Sequence, residues 1–176
     1  GDATRAEVFC IELLRELHTP SGTVCATPSF LRIEEGANHL DICFADEKKL
    51  RLRSSGIGLR LSFDMALYDS AIVWRDGWLV NSFSSRMRYA LCLDSGRVSR
   101  CEFIESESRW VFECLPDVSG FCEIALVEAQ HSLPSHHELF AQDFSSCQRK
   151  VEQEFAAWLQ SVPSVPSEFS DARELA

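Results

Sequence analysis

The sequence of 176 residues lacks several patterns that mark common protein classes. It contains no run near the roughly 18 apolar residues that a membrane-spanning helix needs, and no secretory signal. Cations are also few, since 17 Lys and Arg stand against 27 Asp and Glu, for a net charge of −10. Nucleic acids and anionic membranes attract basic surfaces, so neither is an expected partner. We expect a cytoplasmic protein.

The spacing that zinc knuckles and redox motifs need is absent as well, although the chain has eight cysteines. No C-x-x-C pair occurs, and disulfide frameworks concentrate in small secreted chains. Several cysteines fall in phase with apolar neighbours, which favours reduced thiols packed in a core. The eight are Cys10, Cys25, Cys43, Cys92, Cys101, Cys114, Cys122 and Cys147.

The sequence contains no local motif for nucleophilic or cofactor chemistry. G-x-S-x-G is missing, and the G-x-G at Gly56 and Gly58 enters a predicted strand, whereas a dinucleotide motif opens a helix. His131, His136 and His137 do not have the spacing of known zinc motifs and favour a solvated helix start. We therefore predict no catalytic residue, no metal site and no cofactor within the chain.

Carboxylates are abundant, and glycoside hydrolysis requires only two of them, held several ångströms apart. Sequence spacing does not show which carboxylates converge, and most acidic residues on strands and turns are simply solvated. The candidates are Glu34, Glu35, Asp41, Asp64 and Asp69.

The central part of the chain, residues 23–130, predicts an antiparallel β-sandwich of about ten strands. Its apolar residues recur with a period of two, and turn residues interrupt them at short intervals. Hairpins and meanders should connect the strands, because parallel crossovers need a dozen or more residues. The predicted strands are residues 30–34, 40–45, 50–53, 59–65, 71–75, 78–83, 87–93, 98–104, 110–115 and 121–127.

The sharpest local signal is the Asp76-Gly77 pair, which fits a type I′ turn between two strands. Trp74 should then face Leu79, and Arg75 should face Trp78. Trp74 and Trp78 are our only candidate ligand-binding residues, as stacking platforms for a sugar ring. The simpler interpretation is that they form cross-strand pairs that stabilise the sheet.

Helices are predicted on both sides of the strands. Residues 3–17 combine a capping box with an apolar stripe, which defines an N-terminal helical region over 1–22. A second capping box at Ser135 and Glu138 begins a long amphipathic helix within 131–160. Residues 161–176 then give a Pro-spaced linker and the start of a helix, which we expect to be truncated.

The segment from Glu154 through Trp158 to Ala176, EFAAWLQSVPSVPSEFSDARELA, resembles the linker of bacterial six-hairpin glycosidases. These are amylo-alpha-1,6-glucosidase (glycogen-debranching) and mannosylglycerate-hydrolase-like proteins. The resemblance implies an N-terminal β-domain that packs on a downstream (α/α)6 barrel carrying the catalytic carboxylates. It further implies a parent glycosidase in carbohydrate metabolism, an isolated domain that is inactive, and carbohydrate as a possible ligand.

Two other functions remain open from the sequence. The strands can form a stand-alone β-barrel that binds a small ligand or a protein partner, with the helices packed outside. A small enzyme whose carboxylates converge only in the folded chain is the third hypothesis.

Overall fold

The computed structural model describes residues 16–18, 22–27, 29–46, 48–64, 71–75, 78–82, 88–107, 109–129 and 132–162. These residues contain twelve strands, one 3-10 turn at Glu105–Glu107 and two helices, α1 (His136–Phe140) and α2 (Phe144–Ser161). No helix in these ranges is both long and apolar enough to cross a membrane. The strands are β1 Glu16–His18, β2 Thr23–Ala26, β3 Leu31–Glu35, β4 Asn38–Asp46, β5 Lys49–Ser55, β6 Leu59–Asp64, β7 Ala71–Arg75, β8 Trp78–Ser82, β9 Arg88–Ser95, β10 Arg97–Ile104, β11 Arg109–Leu115 and β12 Phe121–Ala129.

The strands form two sheets, and every pairing is antiparallel. One sheet has four strands in the order β1-β6-β11-β10, and the other has eight in the order β2-β3-β4-β5-β12-β9-β8-β7. Apolar and polar residues alternate along strands such as β5 and β6, which allows one face of each sheet to be buried. The protein is therefore mainly β.

Residues of both sheets share one hydrophobic core. Leu61 and Phe112 of the four-stranded sheet belong to the same buried cluster as Leu52 and Ile124 of the eight-stranded sheet. All four side chains are fully buried. Burial of this apolar surface, worth about 25 cal/mol per Å² removed from water, is the main force that holds the two sheets together.

The chain crosses from one sheet to the other between β5 and β6, and Gly56 makes this crossing possible. Its φ of 77° lies in the left-handed region, and a Cβ there would come within 2.1 Å of the Asn38 side-chain oxygen. The Gly56 amide donates to the carbonyl of Gly120 at 3.1 Å, which ties the crossing to the turn before β12. Only glycine fits such a position without strain.

The two helices pack on the outer face of the eight-stranded sheet. Ser135 caps α1 with the predicted capping box, because its hydroxyl accepts from the Glu138 amide while the Glu138 carboxylate accepts from the Ser135 amide. Asp143 caps α2 by accepting from the Ser146 amide at 2.9 Å. The buried residues Phe144 and Cys147 of α2 contact β4 through a cluster with Cys43 and Ala45.

Among the described residues, strands are found at all ten predicted positions, and their ends match the prediction or differ by at most two residues. The count is twelve rather than ten, because β1 and β2 are additional. The helix predicted over 3–17 lies mostly outside the described residues, and its last two residues belong to β1. The helix predicted within 131–160 is in fact two helices, separated at residues 141–143. Of the linker and terminal helix predicted over 161–176, Ser161 is still helical and Val162 caps α2, and the rest lies outside the described residues.

Candidate functional site

Trp74 and Trp78, the predicted sugar platform, lie on β7 and β8 at one edge of the eight-stranded sheet. The predicted hairpin register is confirmed, since Trp74 pairs with Leu79 and Arg75 with Trp78. The side chains of both tryptophans, like the turn at 76–77, lie outside the described part of the chain. A binding role for them stays a prediction.

Among the candidate carboxylates whose side chains are described, Asp41 is the most buried, on the outer face of β4. Its two oxygens accept from Arg32 Nε and a terminal nitrogen at 2.6 and 2.7 Å. A bidentate arginine pair fixes the geometry of a carboxylate and occupies both oxygens. Asp41 therefore stabilises the β3–β4 pair and is unsuited to proton transfer. Glu34 and Glu35 are exposed on β3, Asp64 ends β6, and Asp69 lies outside the described residues.

The most unusual polar feature is a buried ion pair between Arg51 of β5 and Glu123 of β12. Arg51 is only 1% exposed, and one of its terminal nitrogens donates to Glu123 Oε1. Its other terminal nitrogen donates to the Gln142 carbonyl at 2.6 Å and contacts the Cys147 sulfur at 3.5 Å. One side chain thus links two strands with both helices.

Aromatic rings complete the surroundings of the Arg51 guanidinium. Its central carbon lies 4.9 Å from the ring centre of Phe140 in α1 and 5.8 Å from that of Phe144 in α2. A cation over an aromatic face is stabilised most where water is excluded. The Gln142 carbonyl also falls in the break between α1 and α2, so Arg51 holds that break against the sheet. We call Arg51, Glu123, Phe140, Gln142 and Phe144 the arginine anchor.

The arginine anchor was missed in the sequence because its parts are distant. Arg51 and Glu123 are 72 residues apart, and each alternates with apolar neighbours as an outward-facing residue should. The only local signal in the sequence was Arg51 itself, a long basic side chain in the middle of a strand. A second arginine, Arg53, lies two positions further along the same strand. Charged residues in such positions are usually solvated, and only the helices above the sheet bury this one.

The exposed side of α2 is the second candidate feature. The predicted apolar stripe is buried only in its first turns, whereas Val151 and Phe155 are half-buried and Trp158 is 45% exposed. The rings of Phe155 and Trp158 lie 5.6 Å apart, so they form one aromatic surface. This surface, with Val151, is called the α2 face below. The described residues cover Val151 and Phe155 in part and leave nearly half of Trp158 exposed.

A cleft with a volume of about 650 Å³ adjoins the α2 face. It lies between α2 and the turn joining β4 to β5, and Phe44 of β4 is 62% exposed there. Lys150 forms an ion pair with Glu154 at 3.8 Å on the helix side, and Lys49 one with Asp46 at 3.5 Å on the turn. Exposed aromatic groups beside paired charges are typical of a surface that contacts another molecule. The cleft is lined by Phe44, Ala45, Asp46, Lys48, Lys150, Val151 and Glu154.

All seven cysteines in the described residues are free thiols, and five of them are buried as predicted: Cys43, Cys92, Cys114, Cys122 and Cys147. Burial raises the pKa of the Cys43 thiol to about 12, and those of Cys92 and Cys101 to about 11. A thiol reacts as its thiolate, so these three are poor nucleophiles near neutral pH. Cys25, by contrast, is exposed on β2.

The histidines near α1 take part in ordinary side-chain contacts. His136 Nε2 lies 3.4 Å from Asp94, and its ring centre lies 4.8 Å from that of Phe140. Within the described ranges, no three of the His, Cys, Asp and Glu side chains form a group able to hold a metal ion. His131 lies outside those ranges.

No protein-family model matches the sequence. No curated protein matches it at a significant level either.

Proposed function

We propose that the chain is the non-catalytic N-terminal β-sandwich domain of a cytoplasmic glycoside hydrolase, of the α-glucosidase or debranching type. In this proposal its partner is an (α/α)6 catalytic barrel that follows it in the same polypeptide. The proposal is supported by the order of elements, two antiparallel sheets followed by a helix that leads into the glycosidase-like segment from Glu154 to Ala176.

The observation that carries the proposal is the exposed α2 face. Phe155 and Trp158 continue the apolar stripe of α2 beyond the part that the sheet covers. Exposed aromatic residues are enriched where proteins make contact, and Trp contributes strongly to such interfaces. Because these residues also belong to the glycosidase-like segment, the catalytic barrel is the partner that we assign to them.

The arginine anchor gives the α2 face a defined orientation. Arg51 ties the break before α2 to the eight-stranded sheet, and Ser29 donates to Glu152 in the middle of the helix at 3.2 Å. A helix held at two points presents its exposed side in one direction, which lowers the entropy lost when a second domain docks. The chemistry itself would reside in the barrel.

The first test is activity. The purified 176-residue chain should not hydrolyse maltose, isomaltose or aryl α-glucosides. The polypeptide encoded by its full reading frame should hydrolyse at least one α-glucoside. Turnover by the 176-residue chain itself would contradict the proposal. A stop codon directly after Ala176 would contradict it as well.

The second test examines the α2 face. The downstream polypeptide, expressed separately, should bind the 176-residue chain, and Trp158→Ala should weaken binding by at least tenfold, as expected for an interface hot spot. Val118→Ala is the matched control, because Val118 is a fully exposed apolar residue on the β11–β12 turn, outside the α2 face. Equal binding by both variants would exclude the α2 face as the interface.

The cleft beside Phe44 favours one alternative, a stand-alone β-domain that binds a small ligand or protein partner. Its volume is about 650 Å³, and the exposed ring of Phe44 offers a ligand an apolar contact there. If the chain is such a binding domain, some compounds in a panel of sugars and apolar ligands should raise its melting temperature. The variant Phe44→Ala should abolish that rise. The glycosidase proposal predicts no such Phe44-dependent ligand.

A further inference from the structure

Strand β2 lies at one edge of the eight-stranded sheet, and all four of its residues are exposed. It pairs with β3 on one side, and no strand among the described residues pairs with its other side. The unpaired backbone groups of an edge strand are a template for a further strand. Edge strands are therefore commonly protected by charged side chains or by bulges.

β2 lacks the protection that another edge strand of this protein has. β10, at an edge of the four-stranded sheet, carries Arg97, Arg100 and Glu102 and is interrupted by a bulge. Residues 17–31, which include β2, contain no Asp, Glu, Lys or Arg. Two copies of a chain with a net charge of −10 can therefore meet at β2 without placing like charges opposite each other.

The turn between β2 and β3 shows which backbone groups of β2 point away from the sheet. The Thr27 amide donates to the Phe30 carbonyl at 2.9 Å, so the backbone of Thr27 points towards β3. Backbone groups of successive residues in an antiparallel strand point to alternate sides. The N–H and C=O groups of Cys25 therefore point towards β3, and those of Val24 and Ala26 point outwards.

We propose that β2 is an interaction surface for a second copy of this chain, whose own β2 pairs with it antiparallel about a twofold axis at Cys25. In this register Val24 lies opposite Ala26 of the second copy, and their outward backbone groups exchange hydrogen bonds on both sides of the axis. The strand is self-complementary, because Val24 and Ala26 are the residues immediately before and after Cys25.

The side chains of β2 fit the same arrangement. Val24 pairs with Ile33, which pairs with the fully buried Leu40, so Val24 belongs to the inner face of the sheet. Val24 is nevertheless 60% exposed, whereas Ile33 is 8% exposed. With Ala26 of the second copy opposite Val24, the apolar row continues across the axis and part of the Val24 surface is removed from water.

The test is sedimentation velocity of the 176-residue chain. Four-residue strands bury little surface, so the dimer should be weak and should form as the concentration rises from micromolar towards millimolar. Val24→Pro should raise the dissociation constant at least about tenfold, because proline removes an outward N–H from each copy. The pairing of β2 with β3 should remain, since that N–H points away from β3. Val24→Thr is the matched control, because it keeps the N–H and a strong preference for strands, and it should still dimerise.

Cys25 reports the register of the pairing. Two residues opposite each other in a non-hydrogen-bonded pair have Cα atoms about 4.5 Å apart, within the range that a disulfide spans. Copper–phenanthroline, an oxidant that removes one hydrogen from each thiol, should therefore produce a covalent dimer joined at Cys25. Dithiothreitol should reverse the cross-link, and Cys25→Ser should prevent it.

A chain that stays monomeric up to millimolar concentration would overturn the proposal, and so would a dimer that Val24→Pro leaves unchanged. If Val24→Pro does not fold, Cys25→Lys replaces it, because two like charges directly opposite each other at the axis should also raise the dissociation constant. Trp158→Ala should leave the dimer intact. Loss of the dimer in that variant would show that the copies meet at the α2 face instead of β2.

Discussion

At the scale of single residues, the contacts of Arg51 determine how the helices meet the sheet. A buried charge loses its hydration, and it is retained at low cost only when hydrogen bonds and an opposite charge replace the water. Arg51 has Glu123, the Gln142 carbonyl and two aromatic rings for this purpose. Removal of either charge alone should therefore lower the stability of the fold more than removal of both charges together.

Arg51→Met should lower the free energy of unfolding by about 3–5 kcal/mol, because Glu123 then remains buried with only Arg53, whose Nε lies 3.9 Å from its second carboxylate oxygen, to balance its charge. The double variant Arg51→Met/Glu123→Leu should recover most of this loss, since neither charge is left alone. Urea denaturation of the single and double variants measures both effects. Lys150→Met serves as the control and should change stability by less than about 1 kcal/mol, because the Lys150–Glu154 pair is exposed. A single Arg51 variant as stable as the native chain would show that the arginine anchor has no structural role.

Cys92 gives a prediction for the effect of pH on stability. Burial raises its pKa from 9.0 to about 11, so the folded state keeps the thiol neutral where the unfolded state ionises. This stabilisation, about 2–3 kcal/mol, is complete below pH 9 and is lost as the pH rises towards 11. Denaturation curves of the native chain and Cys92→Ala should therefore converge between pH 8 and 11. Parallel pH dependences would contradict the burial of an un-ionised thiol at this position.

At the scale of elements, period-two alternation of apolar residues located ten of the twelve strands in the described residues. The strand β2 was not predicted, because all four of its residues are exposed and no apolar face marks it in the sequence. β1 has only three residues, too few for a periodic pattern. The split between α1 and α2 was also missed, since the apolar spacing runs through it. What separates the helices is the Asp143 cap and the contact from Arg51, 91 residues away.

The two ends of α2 should respond differently to truncation of an aromatic side chain. Phe144→Ala should cost about 3–5 kcal/mol, because Phe144 is fully buried against Cys43 and Ala45. Trp158→Ala should leave the stability of the isolated chain within about 1 kcal/mol, because nearly half of its surface is exposed. Thermal and urea unfolding of both variants measure the difference. A large loss in the Trp158 variant would place this residue in the core rather than on a docking face.

At the scale of the whole molecule, the two sheets depend on one core and should unfold together. Leu61 of the four-stranded sheet is fully buried in the cluster that also contains Ile124 of the eight-stranded sheet. Leu61→Ala should lower the free energy of unfolding by about 2–5 kcal/mol, through lost burial and a cavity. Because the core is shared, the loss should reach strands that Leu61 does not pair with.

Amide hydrogen exchange tests this cooperativity directly. In Leu61→Ala the slowest amides of β12, in the opposite sheet, should exchange faster by the same free energy as those of β11, which pairs with β6. Arg97→Ala on the exposed surface of β10 is the matched control and should leave both strands unchanged. If only β11 and its neighbours lost protection, the sheets would be separate folding units. The shared core predicts the uniform result, because β6 and β11 cannot expose the side chains they bury in it without exposing those of β5, β9 and β12.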